Sequence, residues 1–175
     1  MLFRSAVTVV KSSLSGLVSL ILDTDRASEW AYRTRRIEVL RRDDETATFM
    51  IRGETDFPWP FSDRDVVMLG QISQDEKSRT VTIHSYSTPP GLIAIRSGYV
   101  RMPDMRGDWI FRPLGKGLVE VTMVGRADPG GNIPASLVSM LIHETPYQTL
   151  LGLRKMIADE RYQHARILKL REQQD

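Results

Sequence analysis

The chain contains no cysteine among its 175 residues. This absence excludes disulfide bonds, thiol catalysis and thiolate metal sites, although it does not identify the cellular compartment. The sequence also lacks an apolar run long enough to cross a membrane, because charged residues make up 26% of the chain and interrupt every such run. The length suits one domain with a core of its own, and we expect residues 1–175 to form a single domain.

Neither sign of charge dominates the sequence. Lysine and arginine exceed aspartate and glutamate by only 24 to 22. Proteins that bind nucleic acid by its phosphates usually carry a much larger basic surplus. Nucleic acid is therefore not an expected partner.

Motifs for metal, nucleotide or nucleophilic chemistry are missing as well. The three histidines, His84, His143 and His164, lie far apart, and His143 is followed by Glu144 without the second histidine that a zinc-protease helix requires. There is no G-x-S-x-G elbow, no P-loop and no dinucleotide-binding glycine pattern. We expect neither a metal nor a cofactor, and we expect His84 on the solvated side of a strand.

The first 22 residues contain the apolar run LSGLVSLIL. A signal peptide is not expected, because this run is followed by DTDR and lacks a small-residue cleavage site. Alternation of apolar and polar residues predicts a strand over 2–10, followed by a helix that Ser12 or Ser13 caps and that ends at Leu22.

Alternation with period two continues through the middle of the chain and predicts half-buried strands. Turn-forming sequences such as RRDDET, QDEKS and PLGKG separate them. The eight predicted strands cover 2–10, 35–41, 46–54, 65–74, 80–87, 97–102, 107–113 and 118–127.

The last quarter of the chain predicts one long helix, from Asn132 to about Leu170, with Pro146 inside it. At about 1.5 Å per residue this helix spans roughly 55 Å, far more than a small domain usually accommodates. Strands closed by one long helix favour an antiparallel sheet curled around that helix. Such a sheet encloses a space in which function is expected to reside.

Two loops carry apolar side chains that need a place to pack. The loop over 56–63 contains Trp59, which we expect to fold back against the sheet edge, because exposed aromatic residues are disfavoured. The loop over 87–96 contains Leu92 and Ile93. These two either fold back in the same way or open against a lipid surface.

Six segments in this order resemble the START family of steroidogenic-acute-regulatory-related lipid transfer domains. They are LFRSAVTV, LDTDRASEW, FSDRDVV, VRMPDMRGDWIFRPL, VEVTMVGRADPGGNIPASLVSMLI and LLGLRKMI. The resemblance implies an α+β helix-grip fold, in which a curved antiparallel sheet of about eight strands wraps a long C-terminal helix. It also implies a tunnel for one sterol or lipid.

Individual residues match landmarks of that family. Trp30 matches the tryptophan that closes the first helical segment. Arg64 and Asp65 match an Arg-Asp pair at the start of a strand, where we expect an ion pair or a capping device. Arg101 matches an arginine that ends a strand, and it is either a structural anchor or the partner of a ligand headgroup in the tunnel.

The function expected from this resemblance is non-catalytic binding and transfer of a hydrophobic ligand. The tunnel wall is predicted from one face of each strand and comprises Phe49, Ile51, Met68, Ile83, Arg101, Met102, Trp109, Val121 and Met123. The gate is predicted to comprise Leu92, Ile93, Ile95, Leu137 and Leu141. A transient contact with a membrane surface is expected during exchange.

Two alternatives stay open at this point. One alternative to a carrier is a helix-grip enzyme of cyclase or dehydratase type, with Glu54, Asp56 and Arg101 as candidate groups. The other is a module that binds a partner when its ligand is present. The family usually has a helix and a strand before the segment matching LFRSAVTV. Self-association through the strand over 2–10 is therefore expected, or else a start further upstream. A cytoplasmic location is favoured, or a periplasmic or secreted one with an upstream start. A basic tunnel residue of some sterol-binding members aligns near Gly70, so sterol specificity is not implied.

Overall fold

The computed structural model describes residues 4–173, with the backbone alone for Arg4. The strands are β1 Arg4–Lys11, β2 Thr34–Asp43, β3 Thr48–Thr55, β4 Asp63–Gln74, β5 Val81–Ser87, β6 Tyr99–Arg101, β7 Asp104–Gly115 and β8 Leu118–Asp128. The helices are α1 Leu14–Leu22, α2 Ala27–Trp30, α3 Ala135–Met156 and α4 Glu160–Gln163, and a short 3-10 turn at Thr24–Arg26 precedes α2. All eight predicted strands are present, although residues 2 and 3 of the first lie outside the described part of the chain. Strand β7 is five residues longer than predicted, whereas β6 covers only 99–101 of the predicted 97–102.

The strands form one sheet in the order β1-β8-β7-β5-β4-β3-β2. Every pairing along this path is antiparallel, while β6 runs parallel to the first residues of β4, beside the part of β4 that β5 does not reach. Strands β1 and β2 are the two edges. This arrangement, with a long helix near the C-terminus, is the helix-grip architecture expected from the sequence.

Helix α1 begins where the sequence predicts. The side chain of Ser13 accepts a hydrogen bond from the backbone N–H of Gly16, at 2.9 Å, and so satisfies one of the donors that every helix start leaves free. Leu14, Leu17 and Leu20 are buried against the sheet. Helix α1 thereby closes one end of the sheet's concave face.

The prediction of one helix from Asn132 to Leu170 is wrong. Helix α3 has 22 residues, or roughly 33 Å, and it tolerates Pro146 in its interior. It ends because Asp159 starts a new element, its side chain accepting a hydrogen bond from the Arg161 N–H, at 2.9 Å. None of the helices in the described part of the chain combines the length and the hydropathy that a bilayer crossing requires.

Residues 164–173, which we call the tail, run across the same end of the sheet as α1. The Glu172 carboxylate accepts hydrogen bonds from the N–H groups of Leu14 and Ser15, both at 2.8 Å. Ile167 and Leu170 pack against the core. Negative charge at a helix N-terminus is stabilising, so the tail completes the cap that Ser13 begins.

Candidate functional site

The strand register decides which side chains share the concave face. Residues directly opposite one another on paired strands point to the same side, as do residues two apart on one strand. Ile51 lies opposite Met68, and Trp109 lies opposite both Ile83 and Met123. By this register seven predicted tunnel residues lie on the concave face: Phe49, Ile51, Met68, Ile83, Trp109, Val121 and Met123. Contact of these residues with a ligand stays a prediction.

A row of small residues crosses this face. Gly70, Ser85, Gly107 and Gly125 lie opposite one another on β4, β5, β7 and β8. Larger side chains flank this row. Trp109, for example, lies two residues from Gly107 on the side toward α1. Ser85, Gly107 and Gly125 therefore form the open floor of a trough, roughly 10 Å long from two strand spacings of about 4.8 Å.

Space remains above the floor of this trough. A Cβ atom added at Gly107 would approach nothing closer than Val124 O, at 3.7 Å, and Ser85 Oγ, at 3.9 Å, both atoms of the sheet itself. No atom of helix α3 lies within 4 Å of that position. We therefore take the volume between the trough and the first half of α3 as the candidate site.

Helix α3 is anchored by its second half. Leu150 and Leu153 are buried in the core, and Gly152 approaches the end of α2 so closely that an added Cβ would lie 2.0 Å from Trp30 O. In the first half Leu141 is buried and Leu137 is half-buried. These two predicted gate residues thus belong to the part of the helix that lies over the site.

Phe49 closes the trough at β4. A Cβ added at Gly70 would lie 2.1 Å from Phe49 Cζ, so the ring rests directly on the glycine. A side chain at position 70 would therefore require the Phe49 ring to move. This interlock sets the length of the open floor.

Arg101 lies on the other face of the sheet. Its guanidinium donates to both carboxylate oxygens of Asp65, each at 2.8 Å. Asp65 alternates with Val66, whose side chain joins Met68 and Met102 in a small buried cluster on the concave side. The predicted tunnel residue Met102 therefore borders the site, whereas Arg101 is turned away from it and is a structural anchor.

Arg64 and Asp65, at the start of β4, bind different partners. Arg64 donates to Pro129 O, at 2.9 Å, and to Gly130 O, at 3.0 Å, so it caps the loop before α3. Burial lowers the pKa of Arg64. The capping prediction holds for Arg64, while an ion pair with Asp65 does not form.

The predicted gate loop is held on the outer face by arginines. Ile93 O accepts a hydrogen bond from Arg101, and Ala94 O accepts one from Arg52, both at 3.1 Å. The side chains of Leu92 and Ile95 nevertheless remain 55% and 54% exposed, and Ile93 is half-buried. The backbone of this loop is fixed while its apolar tips face solvent.

The candidate catalytic groups do not converge on the site. Glu54 accepts hydrogen bonds from Arg96 and from the Tyr99 hydroxyl, and Asp56 pairs with Arg33 at 2.8 Å. Burial and the Glu54 carboxylate raise the pKa of the Tyr99 hydroxyl. Each of these acids is neutralised by a neighbouring cation outside the trough.

His84 lies on the solvent-facing side of its strand, as the alternation predicts. Its Nδ1 contacts the Asp108 carboxylate across the β5–β7 pair. Both residues lie on the outer face, because they alternate with Ser85 and Gly107 of the trough floor.

The expectation that Trp59 folds back on the sheet is wrong, because its side chain is 92% exposed. Phe57 occupies the inner position instead, with the Arg64 guanidinium 4.4 Å from its ring centroid. The Phe57 N–H also donates to Asp63 at 3.0 Å, which closes the base of the loop. Trp59 is left at the tip, on a cis peptide bond to Pro60.

Strand β1 pairs with β8 on one side. Along its other side runs a groove of about 450 Å³, lined by Val9, Val10, Lys11, Arg154, Ile157, Ala158 and Gln163. Arg154 and Gln163 reach across to β1, hydrogen-bonding Thr8 Oγ1 and Lys11 O, both at 3.1 Å. This edge is partly covered by α3 and α4 and otherwise open.

Sequence reasoning missed the network on the outer face and the contacts of the tail. The network joins Arg52, Arg96 and Arg101 to acids on three strands, and no local spacing marks these partners. The small floor residues did leave a signal, since Ser85, Gly107 and Gly125 fall in step with the apolar positions of their strands. Small residues at such positions indicate a face that is left unfilled.

Comparison with known proteins identifies a family. The family model described as START domain matches residues 3–160. Uncharacterized protein PA1579 of Pseudomonas aeruginosa is 29% identical over 148 residues, which are 85% of this chain and 71% of that protein. Human phosphatidylcholine transfer protein is 27% identical over 125 residues, 70% of this chain, and the match spans 57% of the human protein's length.

Solved structures share the fold. A STAR-related lipid transfer protein fragment from Xanthomonas axonopodis superimposes with a TM-score of 0.80 at 26% identity, covering 90% of this chain and 86% of that one. The Zhui aromatase/cyclase from Streptomyces superimposes with a TM-score of 0.58 at 10% identity, covering 97% and 99%. The second likeness concerns the fold alone.

Proposed function

Because the chain belongs to the START domain family, we propose that it binds one hydrophobic ligand above the trough and carries it without changing it chemically. The observation that carries this proposal is the floor of small residues under the first half of α3, bordered by apolar side chains. Affinity would come from buried apolar area, at ~25 cal/mol per Å² less the ordering costs.

A non-catalytic role is supported by where the charged groups lie. Glu54, Asp56 and Arg101 are each engaged in ion pairs away from the trough. A general acid or base must reach its substrate within hydrogen-bond distance. A cyclase or dehydratase reaction in the trough would need other groups than these three.

Native mass spectrometry of freshly purified protein tests the proposal, followed by solvent extraction and a vesicle-to-vesicle transfer assay. We expect one co-purifying hydrophobic molecule, released with unchanged mass and exchanged between vesicles. A changed mass would establish an enzyme. Tight binding without transfer, together with a partner that binds only the loaded protein, would establish the sensing module instead.

A matched pair of variants locates the site. Gly107→Val places a side chain on the trough floor, and Asp108→Val places the same side chain on the outer face of the same strand. We expect ligand occupancy to fall at least tenfold in Gly107→Val and to stay unchanged in Asp108→Val, with similar melting temperatures. Equal occupancy in both variants would place the ligand elsewhere.

We also propose that exchange involves contact with a membrane surface. Trp59, Leu92 and Ile95 are exposed on loops that follow β3 and β5 at the same end of the sheet. Aromatic and aliphatic tips of this kind gain free energy when acyl chains bury them. Because the backbone around Ile93 and Ala94 is fixed by arginines, the loop would act as a rigid point of attachment.

Charge placed on the loop tips tests this contact. Leu92→Asp with Ile95→Asp should slow vesicle exchange several-fold while leaving the melting temperature nearly unchanged. Leu168→Asp is the control, because Leu168 is fully exposed but lies on the tail at the opposite end of the sheet. Equal slowing by both variants would show a general charge effect and would contradict the membrane contact.

Self-association through β1 is a further part of the proposal. Within residues 4–173 this strand is paired on one side, and Val7 and Val9 are exposed along it. Unpaired strand edges recruit other chains. Sedimentation of the chain at rising concentration should show a dimer that Val9→Lys abolishes, and a monomer at every concentration would exclude this mode.

A further inference from the structure

The charged side chains of this fold are divided between the two faces of the sheet. Arg52, Arg101 and Asp65 are largely buried, yet they lie on the outer face, where they bind one another and the loop carbonyls. Strand alternation places Ile51, Val66 and the trough on the opposite face. Buried charge in the β3–β4 region is therefore kept out of the candidate site.

Among the side chains that the structure describes, charges on the concave face lie only at its margins. Arg64 stands at the loop end, where backbone carbonyls occupy its donors. Arg42 stands on the edge strand, half exposed and paired with Asp44 at 2.6 Å. On α3 the charged side chains, from His143 to Lys155, all face solvent.

The polar groups near the trough are neutral. Ser85 Oγ donates to Gly107 O at 3.1 Å, and Ser87 Oγ accepts from the Met105 N–H at 3.1 Å. The indole N–H of Trp30 is buried and has no hydrogen-bond partner among the residues described. Its ring packs edge-to-face on Trp109, which neighbours the trough floor, with 6.1 Å between the ring centroids.

These groups suit one class of ligand. A buried indole N–H without an acceptor costs free energy, and a ligand hydroxyl or carbonyl oxygen would supply that acceptor. An enclosed phosphate or carboxylate would instead need a cation, because burying an unpaired charge costs several kcal/mol. Neutral donors can serve a neutral oxygen and cannot compensate a full charge.

We infer that the site takes an uncharged lipid, one whose polar part is a hydroxyl or ester oxygen, and that it rejects phospholipids and fatty acid anions. This inference rests on the proposed function and narrows it. At β4 the position from which a longer cationic side chain would reach into the trough is Gly70, and the Phe49 ring covers it.

A competition between lipids tests the inference, with identical acyl chains on the three glycerolipids. Vesicles would contain equal amounts of a diacylglycerol, a sterol alcohol, phosphatidylcholine and phosphatidylglycerol, and native mass spectrometry would report what the protein extracts. We expect the two uncharged lipids to exceed the two phospholipids at least tenfold. Loading of phospholipid to an equal extent would overturn the inference and leave the carrier function intact, whereas no loading at all would overturn both.

Variants at Phe49 and Gly70 test which residues exclude phospholipids. Phe49→Ala with Gly70→Arg should raise phosphatidylglycerol loading at least tenfold, while Phe49→Ala alone should keep the preference for uncharged lipids.

Trp30→Phe tests the indole donor. We expect it to weaken binding of the sterol alcohol several-fold and to change binding of the parent sterol hydrocarbon less, since the variant removes the donor and keeps a smaller aromatic ring at the position. A parallel loss for both ligands would mean that Trp30 acts by packing, and the role of its N–H would be withdrawn.

Discussion

The two ends of the concave face are held together by different forces. At the closed end, where α1 and the tail cover the sheet, Phe111, Val121 and Leu153 are completely buried in one apolar cluster. At the open end the inner cluster is small, and ion pairs around Asp65 on the outer face fix the strands and the loop. Because ion pairs on the outer face fix the open end, less apolar packing is needed on its inner surface.

The largest effect is expected at the closed end. Phe111→Ala should lower the free energy of unfolding by about 3–5 kcal/mol, because it removes a buried ring and leaves a cavity. The matched change Ile51→Ala, at a half-buried position of the open end, should cost about 1 kcal/mol. Urea denaturation measures both, and equal losses would mean that the two ends are packed alike.

Asp65→Ala should destabilise the open end nearly as much, by about 3–5 kcal/mol, because it leaves Arg101 buried without its partner. Hydrogen exchange should show the loss of protection spreading through β4 and β6 first, with α1 affected least. If α1 lost its protection first, the conclusion that ion pairs hold the open end and apolar packing holds the closed end would be wrong. Asp108→Ala, a half-buried acid of the same sheet face, is the control.

Glu172→Ala should lower stability by about 1 kcal/mol, the usual cost of losing a helix cap. Its effect should appear in the protection of α1 and not in ligand loading, because the tail lies at the closed end. Glu76→Ala, on an exposed turn, serves as the reference and should change stability by less than about 0.5 kcal/mol. A loss of ligand loading in Glu172→Ala would mean that the ends are coupled.

Tyr162→Phe tests how the stability of the closed end depends on pH. Burial and the Asp23 carboxylate raise the pKa of Tyr162. The folded state therefore favours the protonated phenol, and this contribution is complete below the unfolded pKa of about 10 and is lost as pH rises through the higher folded value. Denaturation between pH 8 and 12 should show a decline that the variant reduces, and identical curves would contradict the assignment.

Trp59→Ser should have the smallest effect on stability, within about 0.5 kcal/mol, because the side chain contacts solvent. Vesicle binding should nevertheless weaken several-fold. A clear drop in melting temperature would show that the loop packs against the open end in solution.

The strands were predictable because the alternation that sets them is local. A half-buried strand is predicted from apolar residues two apart, such as Phe49 and Ile51 or Val119 and Val121, without knowledge of the rest of the fold. The same alternation, joined by the resemblance to the START family, was enough to predict the sheet around a helix. The limits of each strand were less accurate, since pairing with a neighbour extends strands beyond the alternating residues.

The length of α3 and the identity of its continuation were not predictable in the same way. Apolar spacing continues past Met156 through Leu168 and Leu170, yet Asp159 begins a separate short helix and the chain after it is held by Gln74 and by α1. Those partners lie about a hundred residues or more away in the sequence. Arg101 was misplaced for a related reason, because its strand side depends on pairing with β4.

The contact between Glu172 and the start of α1 has a consequence for biosynthesis. The N–H groups of Leu14 and Ser15 leave the ribosome early, while the carboxylate that satisfies them is made more than 150 residues later. Strand β1 likewise cannot pair until β8 has been synthesised. Folding dominated by such distant pairs is slow, so the emerging chain would expose α1 and β1 until synthesis is nearly complete. We expect nascent chains halted before β8 is complete to bind chaperones, because β1 then has no strand to pair with.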